Sequence, residues 1–307
     1  MNDLTISVAA AEFGRDMETC YRTIGTLIDT ARSRGSRLLV LPEACLGGYL
    51  PSLGGGEESE EARARRLRSL PPALTLDGPE LRTVAAMAGD LVVTLGFCEA
   101  DGEDRYNAAV TLSGDGILGS YRKVHQPLGE NLCYQAGFEY RAFDTPVGRM
   151  GMQICYDKAF PEAARALALD GAQIITSLSA WPTARTGAAE RLEDDRWTQR
   201  FDIFDRARAV ENQVVWVASN QAGTFGSLRF VCSAKIVGPG GDVLATTGTN
   251  AGLATATVDL DHVLALARDG GMYNLRDRRP ELYHSVTQRY GVVGQPDRPT
   301  GLVVEHA

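Results

Sequence analysis

Three residues able to do covalent chemistry stand at the ends of apolar segments. They are Glu43 in LLVLPE, Lys123 in YRKVH and Cys155 in GMQICYDKAFPE. A carboxylate could remove a thiol proton, the sulfur could attack an electrophilic carbon, and an ammonium could stabilise the negative charge that develops. Taken singly, a buried packing cysteine and two surface charges are the commoner interpretation of such residues. Their combination favours nucleophilic catalysis.

The segment before Cys155, RMGMQIC, is typical of a buried strand. Alternation in a strand would place Met150, Met152 and Ile154 on one face and Cys155 on the other, less apolar face. A helix is predicted directly after it, and the free backbone N–H groups at its start carry partial positive charge. We therefore expect an environment that favours a thiolate and an oxyanion.

A histidine base and a metal site are the alternatives to a carboxylate base. His125 follows Lys123 on the same side of a predicted strand, although a structural polar histidine is the commoner case. His125 and Cys133 are the nearest pair of metal-ligand types, and their spacing is poor for zinc. The sequence predicts neither a metal nor a cofactor.

Several strand–helix–strand units should position these residues. LTISVAAAEF and SRLLVLPE are apolar strands around a helix that Asp16 could cap and Gly35 could end. YNAAVTLS and ILGSYRKVH form a predicted strand–turn–strand passage. PEAARALALD is a helix with Pro161 in its first turn and Gly171 as its stop, leading into AQIITSLS. Later strands follow each other without helices, so we expect mixed sheets.

Composition excludes some classes of function. The 307 residues include 44% hydrophobic and 23% charged residues, as in ordinary globular proteins, and the net charge of −8 argues against nucleic-acid binding. The N-terminus lacks a basic segment followed by a secretory apolar run, and no apolar run is long enough to cross a bilayer. A cytoplasmic protein with reduced cysteines is expected.

Two charged segments have open interpretations. The glycine-, glutamate- and arginine-rich segment 52–68 fits a loop followed by a solvated helix, with a mobile lid as the alternative. The acidic stretch 190–195 could recruit a cationic substrate, but it fits a solvated face better.

The three segments around Glu43, Lys123 and Cys155, in this order, resemble the signature segments of the nitrilase superfamily of carbon–nitrogen hydrolases. Glu130 in QPLGEN matches the additional structural glutamate of that family. GAQIITSLSAWP, RARAVENQVVWVASNQAG and RDRRPELY are also similar to family segments, so the resemblance extends from residue 4 to about 285.

The resemblance implies a four-layer α-β-β-α sandwich, with a nitrilase-like domain over residues 1–285 and a C-terminal tail over 286–307. It also implies a homodimer or higher homo-oligomer and a reaction without cofactor. The implied catalytic residues are Glu43 as base, Cys155 as nucleophile, Lys123 as electrostatic stabiliser and Glu130 in support.

Residues after the nucleophile separate the branches of the superfamily. Cys155-Tyr156-Asp157, followed by FPE, resembles the amidase-like branch, so the expected reaction is hydrolysis of a small amide through a thioester. The first alternative is an N-carbamoyl amidohydrolase. Further alternatives are a nitrilase, an acyltransferase and a non-catalytic binding module. Expected substrate-contacting residues are Tyr49, Tyr156, which also offers its backbone N–H to the oxyanion, and Trp181.

Overall fold

The computed structural model describes residues 3–54, 59–269 and 271–283. Residues up to Leu275 form one compact unit, built on strands and helices in alternation. Its strands are β1 (Asp3–Ala11), β2 (Leu38–Val40), β3 (Val92–Asp101), β4 (Asp104–Ser113), β5 (Gly116–Arg122), β6 (Phe143–Thr145), β7 (Gly148–Ile154), β8 (Ile174–Ser179), β9 (Val215–Gln221), β10 (Thr224–Phe225), β11 (Leu228–Arg229), β12 (Lys235–Val237), β13 (Val243–Thr246) and β14 (Gly252–Asp259). Its helices are α1 (Met17–Ser33), α2 (Glu60–Arg68), α3 (Pro79–Ala88), α4 (Pro161–Leu169), α5 (Arg196–Asn212) and α6 (Leu260–Asp269).

The main sheet mixes parallel and antiparallel strands, as expected. Its order is β5-β4-β3-β2-β1-β9-β8-β7-β6, with β14 beside β1 and with β12 joining β9 to β13. The strands from β3 to β7 along this order pair in parallel, whereas β4, β5, β6, β12, β13 and β14 pair antiparallel. The carboxyl ends of β2, β7, β8 and β9 therefore meet at one edge, where ligand sites of open α/β sheets form.

The two halves of this strand order pack against each other face to face. The Thr111 hydroxyl on β4 donates to the Met152 sulfur on β7 at 3.3 Å, and Gly119 on β5 lies against the ring of Phe143 on β6. Strand β3 likewise faces β8. The interior between the halves is apolar, with Val40 and Ile154 fully buried. Burial of this interior supplies the main stabilisation.

Helices cover both outer faces and complete the α-β-β-α sandwich that the resemblance implied. On one side α1 buries Ile24 and Ile28, four residues apart on one helical face, next to Val84 of α3. On the other side α4 and α5 bury Leu167 and Phe201.

The predicted boundaries of α1 and α4 agree with the structure. The Asp16 carboxylate accepts a hydrogen bond from the Thr19 N–H at 2.8 Å and so caps α1. Pro161 occupies the first turn of α4, where it removes no helical hydrogen bond, and Gly171 follows the end of α4 with a φ of 87°. Helix α2 has no buried residue, which matches the solvated helix expected in the segment 52–68.

The described part of the second unit, residues 276–283, contains one short 3₁₀ turn, Pro280–Leu282. The predicted tail 286–307 lies outside the described residues, and the domain boundary at 285 stays a prediction.

The segment that carries Glu43 packs closely against Gly96 on β3. A Cβ atom at Gly96 would lie 2.4 Å from the Ala44 N and 2.7 Å from the Glu43 Cα, which are backbone atoms. Gly96→Ala should therefore lower the free energy of unfolding by about 1–3 kcal/mol in urea titrations. Gly25→Ala in α1, where no atom lies within 4 Å of the added Cβ, should instead raise it by about 0.5–1 kcal/mol. Equal stability of Gly96→Ala and the wild type would contradict this packing.

Candidate active site

The buried carboxylate of Glu43 is held by three donors. Glu43 follows β2, and its Oε1 accepts hydrogen bonds from the Lys123 Nζ at 2.9 Å and the Asn107 Nδ2 at 2.6 Å. Its Oε2 accepts one from the Ala180 N–H at 2.6 Å. The side chain is fully inaccessible to solvent, so these donors replace the water that an ionised carboxylate needs.

Lys123 joins Glu43 to a second buried carboxylate, Glu130. Lys123 follows β5 directly, and its Nζ lies 2.9 Å from Oε1 and 2.8 Å from Oε2 of Glu130. Burial disfavours the charged ammonium, but the charges of Glu130 and Glu43 outweigh that effect and raise the pKa of Lys123. The lysine is therefore held as a cation within a dry site.

Two carboxyls around one ammonium leave an excess of negative charge. Burial, together with the nearby Glu43 carboxylate and against the charge of Lys123, raises the pKa of Glu130 to about 7. Tyr49 donates its hydroxyl to Glu130 Oε1, and its own pKa is raised by burial and by Glu130, so the phenol stays protonated. Glu130 thus exchanges a proton near neutral pH.

Cys155 sits where β7 turns into a short 3₁₀ helix, Cys155–Ala159. The strand ends at Ile154, one residue earlier than the sequence indicated, and Cys155 has a left-handed φ of 51°. Strand alternation therefore does not set the direction of its side chain. A left-handed non-glycine residue is strained and is typical of functional sites, because the surrounding structure must hold it in place.

Asp157 is the residue that holds this turn. Its Oδ2 accepts from the Ile154 N–H at 3.0 Å and from the Tyr121 hydroxyl at 2.6 Å, and its Oδ1 accepts from the His125 N–H at 2.9 Å. The carboxylate is fully buried. These donors come from β5, from the segment just after Lys123 and from the end of β7, so Asp157 fixes the turn relative to Lys123.

His125 belongs to the support of the turn. Its Nδ1 lies 3.0 Å from Asp157 Oδ1 and 2.9 Å from the Tyr140 hydroxyl, and its ring stacks on Phe160 with centroids 3.6 Å apart. No hydrogen bond joins it to Cys155 in the described residues.

The thiol environment differs from the sequence expectation of a favoured thiolate. Cys155 is only 4% exposed, and burial, followed by the charge of Glu43, raises its pKa well above the ordinary value. Lys123 acts in the opposite direction but with less effect. Desolvation and a carboxylate outweigh the helix-start N–H groups, so the resting sulfur is a neutral thiol.

A second buried ionic cluster lies directly behind the turn. Asp205 accepts from the Lys158 Nζ at 2.6 Å, the Lys235 Nζ at 2.9 Å and the Trp216 Nε1 at 2.9 Å. The Lys158 ammonium also lies 3.5 Å from the centroid of the Phe201 ring. This cluster anchors the end of the Cys155–Ala159 turn to α5, β9 and β12.

The residues expected to contact substrate have different surroundings. Tyr49 is 1% exposed and donates to Glu130, so its hydroxyl lies within the charged cluster. Tyr156 is half-buried and packs edge-on against Phe160. Trp181 lies in the core among Trp197, Phe201 and Phe204, with centroids 5.8–6.3 Å away.

Asn107 is the site residue that sequence reasoning missed. It lies on β4, is 2% exposed, and donates to Glu43 at 2.6 Å and to Glu130 at 3.2 Å. Its signal was an amide within the otherwise apolar strand YNAAVTLS, since a buried polar residue in such a strand requires partners.

The sequence is similar to curated enzymes that act on carbon–nitrogen bonds. It is 34% identical over 214 residues to a probable nitrilase of Schizosaccharomyces pombe, covering 67% of this chain and 74% of the relative. It is 30% identical over 298 residues to the N-carbamoylputrescine amidase of Solanum lycopersicum, covering 91% and 93%.

The fold is similar to solved structures of this kind. A carbon–nitrogen hydrolase from Helicobacter pylori G27 superposes with a TM-score of 0.78 at 23% identity, covering 94% of this chain and 99% of that chain. The Nesterenkonia sp. AN1 amidase, in a form with acrylamide added to its active-site cysteine, superposes with a TM-score of 0.69 at 23% identity, covering 92% and 99%. The family model for carbon-nitrogen hydrolases matches residues 7–268. The chain therefore belongs to the carbon–nitrogen hydrolase family, within the nitrilase superfamily.

Proposed function

We propose that this carbon–nitrogen hydrolase is an amidase that cleaves small amides through a thioester on Cys155. The observation that carries the proposal is the buried hydrogen-bonded cluster of Glu43, Lys123 and Glu130 beside the strained nucleophile turn. A carboxylate base, an ammonium and a thiol in one dry site provide the groups that acyl transfer needs.

In the acylation step, Glu43 takes the proton from the Cys155 sulfur as the sulfur attacks the amide carbon. The carbonyl π electrons move to oxygen, where the Lys123 ammonium and the Tyr156 backbone N–H stabilise the negative charge. The tetrahedral intermediate then collapses, the C–N bond breaks, and Glu43 returns the proton to the leaving nitrogen. A thioester remains.

In the deacylation step, Glu43 takes a proton from water as the water oxygen attacks the thioester carbon. Collapse of the second intermediate breaks the C–S bond and releases a carboxylic acid, and the sulfur recovers its proton from Glu43. The chain's own residues supply every proton transfer in this scheme.

The raised pKa of Cys155 explains why the base is needed. A neutral buried thiol is a weak nucleophile, so proton removal has to accompany attack. Asn107, Ala180 and Lys123 keep the Glu43 carboxylate oriented for this task. Glu130 in turn positions Lys123.

N-carbamoyl amine hydrolysis is the second candidate function, with the same nucleophile and base. The similarity to an N-carbamoylputrescine amidase over 91% of the chain favours it. The sequence Cys155-Tyr156-Asp157 favours amide hydrolysis as the reaction. Nitrile hydrolysis ranks third, after hydrolysis of amides and of N-carbamoyl amines.

We also propose a cytoplasmic location. All six cysteines are free and buried, as in proteins from reducing compartments. Among the helices of the described residues, none has the length and apolar character to span a bilayer.

We propose further that the chain forms a homodimer, or a larger homo-oligomer built from it. Ile203 and Val210, two turns apart on one face of α5, are 65% and 43% exposed, and Leu169 at the end of α4 is 51% exposed. Neighbouring exposed apolar side chains on helices favour association with a second copy.

Cys155→Ala should abolish hydrolysis. Wild-type protein incubated with a panel of amides, carbamoyl amines and nitriles should release ammonia or amine from amides, and the variant should be slower by about 10³-fold or more. Intact-protein mass should show an acyl adduct on the wild type alone. Cys20→Ala, another buried cysteine, is the matched control and should keep wild-type turnover. Equal release by the Cys155→Ala protein would end the assignment of the nucleophile.

Glu130→Gln should lower kcat by about a hundredfold while the fold stays intact, because the amide carries no charge to hold Lys123.

Since the folded-state pKa of Glu130 is raised to about 7 from 4.5, the folded state binds a proton more tightly than the unfolded state. The free energy of unfolding should fall as pH rises through this window, and the variant should lose that slope. The exposed Glu139→Gln should change neither property. Unchanged turnover of Glu130→Gln would remove Glu130 from the mechanism.

Ile203→Glu should weaken the dimer, because a buried unpaired charge opposes association. Sedimentation analysis should show a dissociation constant raised at least about tenfold, equivalent to about 1.4 kcal/mol. Leu67→Glu, an exposed leucine on α2, should leave association unchanged. A wild-type monomer at high concentration would refute the proposal.

A further inference from the structure

A cavity of about 330 Å³ opens at the edge of the sheet that carries the active site. Three segments line it: residues 52–53 after β2, residues 182–185 with Ala188 after β8, and residues 227–229 around β11. Its size suits part of a small substrate. We call it the arginine-lined cavity, after Arg185 and Arg229 in its wall.

The walls of the arginine-lined cavity connect it to Glu43. Leu53 and Leu228 belong to one packed cluster with Tyr49, Ala44 and Ala180. Tyr49 donates to Glu130, and Ala180 donates its N–H to Glu43. Pro182, which lines the cavity, is two residues beyond Ala180. The cavity and the catalytic carboxylates therefore share their supporting residues.

The described residues that line the cavity carry positive charge. Arg185 and Arg229 line it, and none of its described lining residues is acidic. Arg229 is engaged by the backbone carbonyls of Ala189 and Glu190 at 3.3 and 2.9 Å. Arg185 is exposed and makes no hydrogen bond or ion pair with the described residues. Its guanidinium is free to form a bidentate contact with a carboxylate.

Three of the four acids in the stretch 190–195 are already engaged by other groups. Asp195 is 1% exposed, and its carboxylate accepts from the N–H groups of Ala184, Ala189 and Trp197 at 2.8–3.1 Å. Its role is to shape the loop that carries Arg185. Glu193 and Asp194 pair with Arg191, whose Nη2 lies 2.5 Å from Glu193 Oε1.

We propose that the arginine-lined cavity binds a carboxylate of the substrate, with Arg185 as its principal ligand. This inference rests on the amidase function proposed above and narrows it. The substrate class is an amide whose carbon chain ends in a carboxylate, such as a monoamide of a dicarboxylic acid. Analogues that carry an ammonium in place of the carboxylate would be repelled by the two arginines.

Substrates matched in length test this selectivity. Glutaramic acid, its neutral counterpart valeramide and its cationic counterpart 5-aminovaleramide would be compared by kcat/KM. The wild-type kcat/KM for glutaramic acid should exceed that for valeramide by about tenfold or more, because valeramide cannot form the charged hydrogen bond with Arg185. The kcat/KM for 5-aminovaleramide should be lower, because the arginines repel its ammonium. The preference should shrink at high salt.

The variant Arg185→Gln should lose the preference for glutaramic acid over valeramide, mainly through a higher KM for glutaramic acid. Arg185→Lys should retain part of it. Arg200→Gln removes another exposed arginine that does not line the cavity, and it should keep the wild-type preference.

Binding to the Cys155→Ala protein, measured by calorimetry, separates the two proposals because it needs no turnover. Tighter binding of glutaramic acid than of valeramide, lost in Cys155→Ala with Arg185→Gln, supports the carboxylate site even if hydrolysis fails. Equal affinities for the acid and the neutral amide, or turnover of valeramide without any preference, overturn the carboxylate site and leave the amidase proposal standing.

Discussion

The complete burial of the Glu43 carboxylate is the constraint on which the site depends. An isolated carboxylate in such surroundings would be too costly to ionise, so the fold brings three donors to it from different elements. Lys123 comes from the end of β5, Asn107 from β4 and the Ala180 N–H from the end of β8. These strands lie in both halves of the sandwich. Packing the halves together is therefore also the step that assembles the charged cluster.

The turn at Cys155, the proposed nucleophile, depends on a different kind of support. Cys155 is strained at a φ of 51°, and it stays so because Asp157 and the cluster behind it hold both ends of the turn. Asp157 gathers donors from the strand end and from the loop after Lys123, whereas Lys158 anchors the turn to Asp205. Several buried ion pairs thus maintain one short turn. Such networks fix geometry more than they add net stability.

Much of the fold could be read from the sequence because local signals agree with it. Asp16 and Pro161 mark helix starts, and apolar runs mark buried strands. The end of β7 was misplaced by one residue, since the change from strand to 3₁₀ turn at Cys155 depends on Asp157, which has to be held by residues distant in sequence. The role of Asn107 could not be predicted for the same reason, because its partner Glu43 is distant in sequence.

The sequence by itself determined the chemical groups, their order, and the strand ends that carry them, because side-chain types and apolar periodicity are local properties. It also identified Glu43, Lys123 and Cys155 as a set. Only the tertiary structure decided the ionisation of Lys123 and Cys155 and brought two arginines to the described lining of one cavity. Burial leaves Cys155 a neutral thiol. Chain folding leaves Arg185 in the wall of a cavity, while Asp195 accepts from backbone N–H groups and Glu193 and Asp194 pair with Arg191. Desolvation and proximity are properties of the packed chain, and they have no counterpart in the order of its residues.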